Sequence, residues 1–411
     1  MKNKLKLIND PVYGFINIPE EIIFDLLNHP YMQRLRRITQ LGLTNYVYPG
    51  ANHKRFEHVL GATHLMNLAL DVLRVKGVSI SKQEKSGALT AILLHDIGHG
   101  PFSHTLERSF FESVSHEDLS LIFMKRLQKE FPSFPGSAIE IFNNSHPKKF
   151  LHQLVSGQLD TDRLDYLSRD SFYTGVIEGR IGSARILKML DVRNSEIAIE
   201  EKGIYSVEKF LIARRIMYWQ VYLHKTVLAA EQMLMKALQR ARELFAERDL
   251  PASPAVKFFL TRRVNQHNLN TTDDTGKTPV DHFAQLDDYD IIMALKLWIN
   301  DKDTVLSELS KRIIHRNLFK VQIQDKSFDP EIIHKKRREL KSELNISETE
   351  AEYMVFSNKI TNKAYSYHKS APINILTKTG DINDIADASD ISNIKTLSET
   401  VEKHFYCFPE L

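Results

Sequence analysis

Residues 91–104, AILLHDIGHGPFSH, place three histidines and an aspartate directly behind a run of residues typical of a protein core. The first four residues predict a buried segment, and His95, Asp96, His99 and His104 follow at once. Ionisable side chains cost several kcal/mol to bury unless a partner compensates them. A metal ion would be such a partner, so this stretch predicts a buried metal centre.

The spacing within this stretch fits a metal site on a helix. Residues 87–100, GALTAILLHDIGHG, are apolar nearly all round, which predicts a buried helix that ends at the glycines and proline of residues 98–101. His95 and His99 are four residues apart and share a face of such a helix, and Asp96 can converge with them in a concave site. Two imidazoles and two carboxylates would suit Fe, Mn, Zn, Ni or Co. Another histidine and another carboxylate must come from elsewhere in the chain.

Composition predicts an ordinary globular protein with a substantial core. The chain has 411 residues, of which 42% are hydrophobic and 26% charged. Its 55 basic and 52 acidic residues give a net charge of +3, so charge indicates neither nucleic-acid binding nor a membrane surface. The lone Cys407 excludes an internal disulfide and a cysteine-rich zinc site and fits a reducing compartment. Because there is no apolar leader and no membrane-length apolar run, we expect a cytoplasmic protein.

Periodicity and composition divide the chain into three parts. Residues 1–250 are predicted as a helical domain, because helical periodicity covers most of residues 20–245. Residues 251–285 are rich in Thr, Asn, Asp and Pro and predict an irregular connection. Residues 286–411 predict a smaller α+β domain, since helical patterns alternate there with four β-rich pieces: FKVQIQ (319–324), KAYSYH (363–368), APINILT (371–377) and HFYCF (404–408). The predicted fold class is therefore mainly α.

Five motifs in a fixed order resemble those of one family: RFEH (55–58), HDIGHGPFSH (95–104), SHEDLS (115–120), DTDRLDYLSRD (160–170) and YWQVYLHK (218–225). The chain resembles the HD-domain phosphohydrolase superfamily, and within it the deoxynucleoside triphosphate (dNTP) triphosphohydrolases, including the animal sterile-alpha-motif and HD-domain enzyme. The resemblance implies a helical HD core and a homo-oligomer, either a dimer or a tetramer. It also implies cleavage of dNTP to deoxynucleoside and inorganic triphosphate, with water attacking the α-phosphorus.

By this resemblance, four residues bind one divalent metal ion: His58, His95, Asp96 and Asp162. His58 and Asp162 supply the imidazole and the carboxylate that the HD stretch lacks. The ion implied is Mn, Fe, Zn, Ni, Co or Mg, and Mg can also accompany the nucleotide. A lone helical histidine is usually structural, as we expect for His64, but the RFEH context favours a ligand at His58.

The same resemblance assigns the proton-transfer chemistry to four residues. It implies that His104 lies next to the scissile α-phosphate as the general acid, and that His99 and His116 orient the attacking water. Glu117 is implied to hold one of these histidines. The alternative for His116 is an exposed position at the start of a helix, beside the capping Ser115.

A helix over DTDRLDYLSRD would place Asp162, Tyr166 and Asp170 on one face, at positions i, i+4 and i+8. The resemblance implies that Tyr166 packs on the deoxyribose and that Asp170 accepts a hydrogen bond from the 3′-hydroxyl. The alternative is a solvated helix in which Asp165 and Arg169 form surface salt bridges.

A triphosphate carries about four negative charges, so it needs cations beyond the metal. The candidates are Arg55, Arg163, Arg214 and Lys54. The resemblance places Arg163 and Arg214 at the phosphates, although the animal enzyme has Lys at the position of Arg163. Tyr222, eight residues after Arg214, would share a helix face with it and contact the base or sugar. Gln40 would also contact the base or sugar. Two neighbouring aromatic residues are assigned instead to the core: Tyr218 and Trp219.

Basic residues outside the motifs raise the question of regulation. In the animal relative, the segment similar to HRNLFK (315–320) contacts an activating nucleotide at a subunit interface. Arg316 and Lys320 keep its basic positions, and Lys225 would lie nearby. The alternative is that these are ordinary surface charges.

Two other functions share the same metal ligands. One is a phosphatase or phosphodiesterase for another nucleotide, which would differ only in its pocket. The other is a non-catalytic scaffold that senses nucleotides. Retention of all four implied ligands and of the three further histidines favours an enzyme.

Overall fold

The computed structural model describes residues 6–102, 106, 109–362, 365, 372–390, 397 and 399–410. Helices dominate this part of the chain, as the sequence predicts. They are α1 (Glu21–Asn28), α2 (Pro30–Arg34), α3 (Arg55–Val75), α4 (Lys82–Leu94), α5 (His116–Glu130), α6 (Ser137–Phe142), α7 (Lys149–Val155), α8 (Thr161–Thr174), α9 (Ser183–Met189), α10 (Ile204–Met217), α11 (Lys225–Phe245), α12 (Pro254–Thr261), α13 (Pro279–Phe283), α14 (Asp288–Trp298), α15 (Thr304–Ile314), α16 (Pro330–Leu344), α17 (Glu348–Ala351) and α18 (Ile385–Ala388). None of these helices is long and apolar enough to cross a bilayer.

Short strands form small sheets around the helices. They are β1 (Lys6–Asp10), β2 (Gly14–Ile18), β3 (Phe111–Glu112), β4 (Leu190–Arg193), β5 (Glu196–Glu200), β6 (Val264–Asn265), β7 (Lys320–Gln324), β8 (Phe356–Asn362), β9 (Asn374–Leu376), β10 (Ile382–Asp384) and β11 (Val401–Phe408). The sheets have the orders β1-β2, β10-β9-β5-β4, β7-β11-β8 and β3-β6. Strand β9 pairs in parallel with β5, with Ile375 opposite Ile199, so the C-terminal region completes a sheet of the helical region.

Helix α3 lies at the centre and packs against both α4 and α8. Helix α4 is capped at its N-terminus by Ser81, whose hydroxyl accepts a hydrogen bond from Glu84 N at 3.1 Å. Helix α8 is capped at its N-terminus by Asp160, whose carboxylate accepts from Arg163 N at 2.7 Å, and at its C-terminus by Gly175 in the left-handed conformation. These caps set the ends of the helices that carry the predicted site residues.

The HD stretch leaves its helix earlier than the sequence predicts. Helix α4 ends at Leu94, and tight turns follow, in which Ile97 N donates to Leu94 O and His99 N donates to Asp96 O, both at 3.1 Å. The predicted helix through His99 is therefore wrong, and so is the i, i+4 relation of His95 and His99. We call the turns at residues 95–100 the HD loop.

The buried guanidinium of Arg34 stabilises the HD loop. Its Nη2 donates to Ile97 O at 2.8 Å and to His99 O at 3.0 Å, and its Nη1 donates to Leu286 O at 3.1 Å. A continuing helix could not satisfy Ile97 O, because Pro101 has no N–H to donate. Burial lowers the pKa of Arg34 to about 9, which still leaves it charged at neutral pH. One side chain thus joins the HD loop to the segment before α14.

We expect Arg34→Met to lower the free energy of unfolding by about 2–4 kcal/mol, because it removes three hydrogen bonds that the guanidinium donates to buried carbonyl oxygens. Denaturant unfolding measures this loss. Arg36→Met is the matched control, since Arg36 is exposed in the same segment, and it should change stability by less than about 1 kcal/mol. Equal losses in the two variants would contradict the role given to Arg34.

The structure differs from the predicted irregular connection over residues 251–285. This stretch contains helices α12 and α13 and strand β6. Each helix has a proline in its first turn, and the residue before that proline caps the helix with its hydroxyl. The capping residues are Ser253 in α12 and Thr278 in α13. Polar composition obscured these start signals, because the residues that define a cap are the same ones that favour loops.

The predicted β-rich pieces of the C-terminal region correspond largely to strands. FKVQIQ, APINILT and HFYCF overlap β7, β9 and β11, whereas of KAYSYH only Tyr365 lies within the described residues. The helical core with a smaller α+β region is confirmed. The exact domain boundaries stay a prediction.

Candidate metal centre and catalytic cavity

Three of the four predicted metal ligands meet at the centre of the molecule. His58 comes from α3, His95 from the HD loop and Asp162 from the first turn of α8, and their ligand atoms all lie within 4.8 Å of one another. His58 Nε2 is 3.1 Å from Asp162 Oδ1, and His95 Nε2 is 3.5 Å from the same oxygen. Residues far apart in sequence thus present ligand atoms to one small volume.

Asp96, the fourth predicted ligand, lies beside this group of three. Its Oδ1 is 3.3 Å from His95 Nε2, and its Oδ2 is 3.8 Å from His58 Nε2. The same Oδ2 forms an ion pair with Nη1 of Arg55, and both side chains are buried. Asp96 is therefore adjacent to the other ligands while Arg55 engages one of its oxygens.

The chemistry of this group suits a divalent metal ion. Nε2 of His58 and Nε2 of His95 are buried, and neither makes a hydrogen bond to any described residue. The opposite ring nitrogens are bonded, since His95 Nδ1 is 2.6 Å from Ile92 O and His58 Nδ1 is 2.7 Å from Asp165 Oδ2. This arrangement is typical of metal-binding histidines, whose second nitrogen donates to a carbonyl or carboxylate. The donor set of imidazole nitrogens and carboxylate oxygens fits a transition metal.

Positive neighbours keep both acidic ligands ionised. Burial by itself raises the pKa of Asp162, but the two histidine ligands next to its carboxylate outweigh burial and lower that pKa. Burial likewise raises the pKa of Asp96, yet the neighbouring histidines and Arg55 hold it well below its ordinary value. Both carboxylates are therefore in the form that binds a cation.

Two further histidines stack next to the metal-ligand group. The rings of His99 and His116 are 4.0 Å apart and inclined by 16°, and His99 Nε2 is 3.3 Å from Asp96 Oδ1. Burial and the charge of Arg55 lower the pKa of His99 to about 3, so this imidazole is neutral at physiological pH. His116 is the first residue of α5, behind the N-cap Ser115, and it also faces the central cavity.

Gly98 allows the HD loop to lie directly against α5. A Cβ at this position would be 2.1 Å from His116 O and 2.5 Å from Ser120 N. Gly98 N donates to Ser120 Oγ at 2.9 Å, and this hydroxyl donates to His95 O at 2.7 Å. The close approach brings His116 over His99.

A cavity of about 1070 Å³ adjoins the metal-ligand group. This volume is sufficient for a nucleotide, since small-molecule pockets typically measure about 300–1,000 Å³. His104, the predicted general acid, lies outside the described residues. Most other predicted site residues line the cavity: Gln40, Arg55, His95, Asp96, His99, His116, Glu117, Asp162, Arg163, Tyr166, Asp170 and Tyr222.

Asp170 is held from two sides at the cavity wall. Its Oδ1 is 2.8 Å from His53 Nε2, and its Oδ2 accepts a hydrogen bond from the Tyr222 hydroxyl at 2.7 Å. His53 also stacks on Tyr173, with ring centroids 4.5 Å apart. The sequence analysis missed His53, for which closeness to RFEH was the only available signal.

A π-helical turn at Tyr218–Tyr222 follows α10 and changes its register. Because a π turn takes up more residues than an α turn, positions eight apart no longer share a face. Tyr222 lines the cavity, but Arg214 is not among the described residues that do. Tyr218 lines it as well, so its assignment to the core is wrong. The substrate role of Arg214 stays a prediction.

The three predicted regulatory residues are not among the described residues that line the cavity. Lys225 begins α11, and Lys320 begins β7, where its Nζ is 3.2 Å from a Glu410 carboxylate oxygen. Arg316 has a left-handed backbone with φ of 56°, and its Nε donates to Tyr46 O at 2.8 Å. Their nucleotide-binding role stays a prediction.

The fold and these contacts define a helical protein with a buried His/Asp metal-binding group beside a large cavity. The HD domain matches residues 55–170, and the HD associated region matches residues 181–253. The chain belongs to the HD-domain phosphohydrolase family. It is therefore a hydrolase of a metal-dependent class.

Known proteins are similar over most of the chain. A crystal structure of a phosphohydrolase from Bacteroides thetaiotaomicron has a TM-score of 0.94 and 50% identity, covering 99% of this chain and 100% of that one. The uncharacterized protein YwfO of Bacillus subtilis is 32% identical over 98% of this chain and 92% of its own length. The human deoxynucleoside triphosphate triphosphohydrolase SAMHD1 is 25% identical over 77% of this chain, which spans 54% of that protein.

Proposed function

We propose that this protein is a metal-dependent dNTP triphosphohydrolase, which cleaves dNTP to deoxynucleoside and inorganic triphosphate. The observation that carries the proposal is that three of the implied metal ligands, His95, Asp96 and Asp162, line one cavity together with Arg55, Arg163, Tyr166 and Asp170. Cations, an aromatic ring and a carboxylate in one cavity are the groups that a phosphorylated nucleoside requires. The similarity to SAMHD1, whose name describes this activity, supports the substrate class.

A divalent metal ion held by His58, His95, Asp96 and Asp162 would polarise a phosphoryl oxygen and lower the pKa of a bound water. The stacked, neutral ring of His99 is suited to orient the attacking water by hydrogen bonding rather than by charge. The water attacks the α-phosphorus, and the proton that the departing 5′-oxygen needs is assigned to His104.

The cavity residues would orient the substrate. Arg163, at the start of α8, and Arg55 bring positive charge to the triphosphate. The ring of Tyr166 offers a flat face for the deoxyribose. Asp170 can still accept a hydrogen bond from the 3′-hydroxyl, because each of its oxygens has a second lone pair beyond its bonds to His53 and Tyr222.

Product analysis tests this function directly. With Mn²⁺ and each dNTP in turn, we expect tripolyphosphate and deoxynucleoside on ion chromatography, and no turnover from metal-free protein. Release of dNMP and pyrophosphate, or stepwise release of phosphate, would instead identify a phosphodiesterase or a phosphatase. Undetectable turnover across nucleotides with metal bound would favour the nucleotide-sensing scaffold.

We extend the proposal to a homo-oligomer that binds an activating nucleotide at Lys225, Arg316 and Lys320. The same dNTP panel, supplied singly and as mixtures, addresses this point. Stimulation of one dNTP's hydrolysis by another supports an activator site, and strictly additive rates contradict it.

A further inference from the structure

A chain of buried charges extends from the metal-ligand group to the N-terminal hairpin. His58 Nδ1 donates to Asp165 Oδ2 at 2.7 Å, on the side of the ring opposite to the metal-facing Nε2. We propose that Asp165, supported by Arg169 and Asp10, is the positioning residue for the ligand His58, so that the hairpin β1–β2 contributes to metal retention. This inference rests on the metal centre of the proposed function.

Asp165 has little freedom to move. Arg169 holds it at two points, because its Nε donates to Asp165 Oδ2 and its Nη2 donates to Asp165 Oδ1, both at 3.0 Å. Asp165, Arg169 and His58 are fully buried. The interpretation of α8 as a solvated helix with surface salt bridges is therefore wrong. A carboxylate fixed in this way orients the imidazole and keeps its Nδ1 protonated, which leaves the Nε2 lone pair for the metal.

The third member of the chain is Asp10, at the end of β1. Its Oδ2 accepts from Arg169 Nη1 at 2.8 Å. Its Oδ1 accepts from the backbone N–H groups of Val12 and Tyr13, both at 2.9 Å, which closes the turn of the hairpin. Arg169 has no exposed surface through which water could replace these partners. The turn of the hairpin therefore holds Arg169 in place through Asp10, and Arg169 in turn holds Asp165.

This arrangement gives the hairpin a function beyond covering the core. If its turn loosens, Arg169 loses one of its two carboxylate partners and Asp165 is held less firmly. The imidazole of His58 then samples orientations in which Nε2 points away from the metal. Faster metal loss is the expected result, even where the protein remains folded.

The experiment uses full-length protein loaded with Co²⁺, whose visible absorption reports on the ligand geometry. Asp165→Asn should alter this spectrum and release Co²⁺ to excess EDTA about 10–100-fold faster than the wild type. Asp10→Asn keeps the bonds of the hairpin turn but removes the charge facing Arg169, and it should increase the release rate less. Neither measurement involves a nucleotide.

Asp301→Asn is the matched control. It breaks the two-point ion pair between Asp301 and Arg248. Neither of these residues is among the described residues that line the cavity. We expect a lower melting temperature with an unchanged Co²⁺ spectrum and release rate. Melting curves of the metal-free proteins show which variants fold. If Asp165→Asn does not fold, the release rate of Asp10→Asn tests the proposal by itself.

The outcomes separate this inference from the metal centre on which it rests. Wild-type protein that takes up no Co²⁺ would overturn both. Wild-type protein that binds Co²⁺, with release from folded Asp165→Asn and Asp10→Asn at the wild-type rate, would overturn the positioning role alone. Acceleration in Asp165→Asn only would remove the hairpin from the proposal.

Discussion

Asp162→Asn is expected to lose its metal ion and at least about a thousandfold in turnover. Asp162 Oδ1 lies 3.1 Å and 3.5 Å from the Nε2 atoms of His58 and His95, so the substitution removes the one carboxylate of the group of three. A thousandfold loss corresponds to about 4 kcal/mol of transition-state stabilisation. Elemental analysis of the purified protein gives the metal content, and dNTP hydrolysis at saturating Mn²⁺ gives the rate.

Asp281→Asn is the control for this substitution. Asp281 pairs with Arg126 at 2.6 Å and is not among the described residues that line the cavity, so metal content and turnover should be unchanged. Asp96→Asn should also abolish turnover while the helical circular-dichroism signal stays largely intact, because it neutralises a ligand at nearly constant volume. A metal-replete, active Asp162→Asn protein would contradict the site.

Gly61→Ala should destabilise the protein by about 2–4 kcal/mol, although alanine favours a helix over glycine by about 1 kcal/mol. A Cβ at Gly61 would lie 1.9 Å from Asp165 Oδ1 and 2.3 Å from Arg169 Nη2. These atoms belong to a fully buried ion pair that cannot move into solvent. The new methyl group must therefore separate α3 from α8 or break the pair. Denaturant unfolding of the metal-free protein measures the change.

Gly136→Ala provides the comparison. Gly136 has helical backbone angles, and apart from its own chain neighbours no described residue has an atom within 4 Å of the position where its Cβ would be. Alanine should be neutral there or stabilise the protein by about 0.4–1 kcal/mol, because it restricts the unfolded chain. A Gly61→Ala protein as stable as Gly136→Ala would show that α3 and α8 are not held at this distance.

The candidate site could be predicted to a large extent from local sequence. An apolar run followed at once by His95 and Asp96 marks a buried polar site, because such groups need a partner inside a core. The order of the motifs then pointed to His58 and Asp162, which the structure brings together with His95. The mainly α class followed from helical periodicity, which depends only on neighbours along the chain.

Errors occurred where contacts between distant segments override local pattern. The helix through His99 was predicted from apolar periodicity, but the chain forms turns there instead. Arg34, from another helix, stabilises these turns by donating to the carbonyls of Ile97 and His99. The prediction that Arg214 and Tyr222 share a helix face failed for a related reason. The π turn at Tyr218–Tyr222 changes which side chains reach the cavity.

The sequence by itself determined the helical class, the family motifs and the residue types of a divalent metal site, because these depend on periodicity and on spacing within short segments. Only the tertiary structure decided that Asp165 and Arg169 are buried behind His58, that Asp10 joins them and that Tyr218 faces the cavity. An aspartate and an arginine four residues apart look the same on a solvated helix as in a core. Their environment is set by segments more than a hundred residues away, which no local pattern encodes.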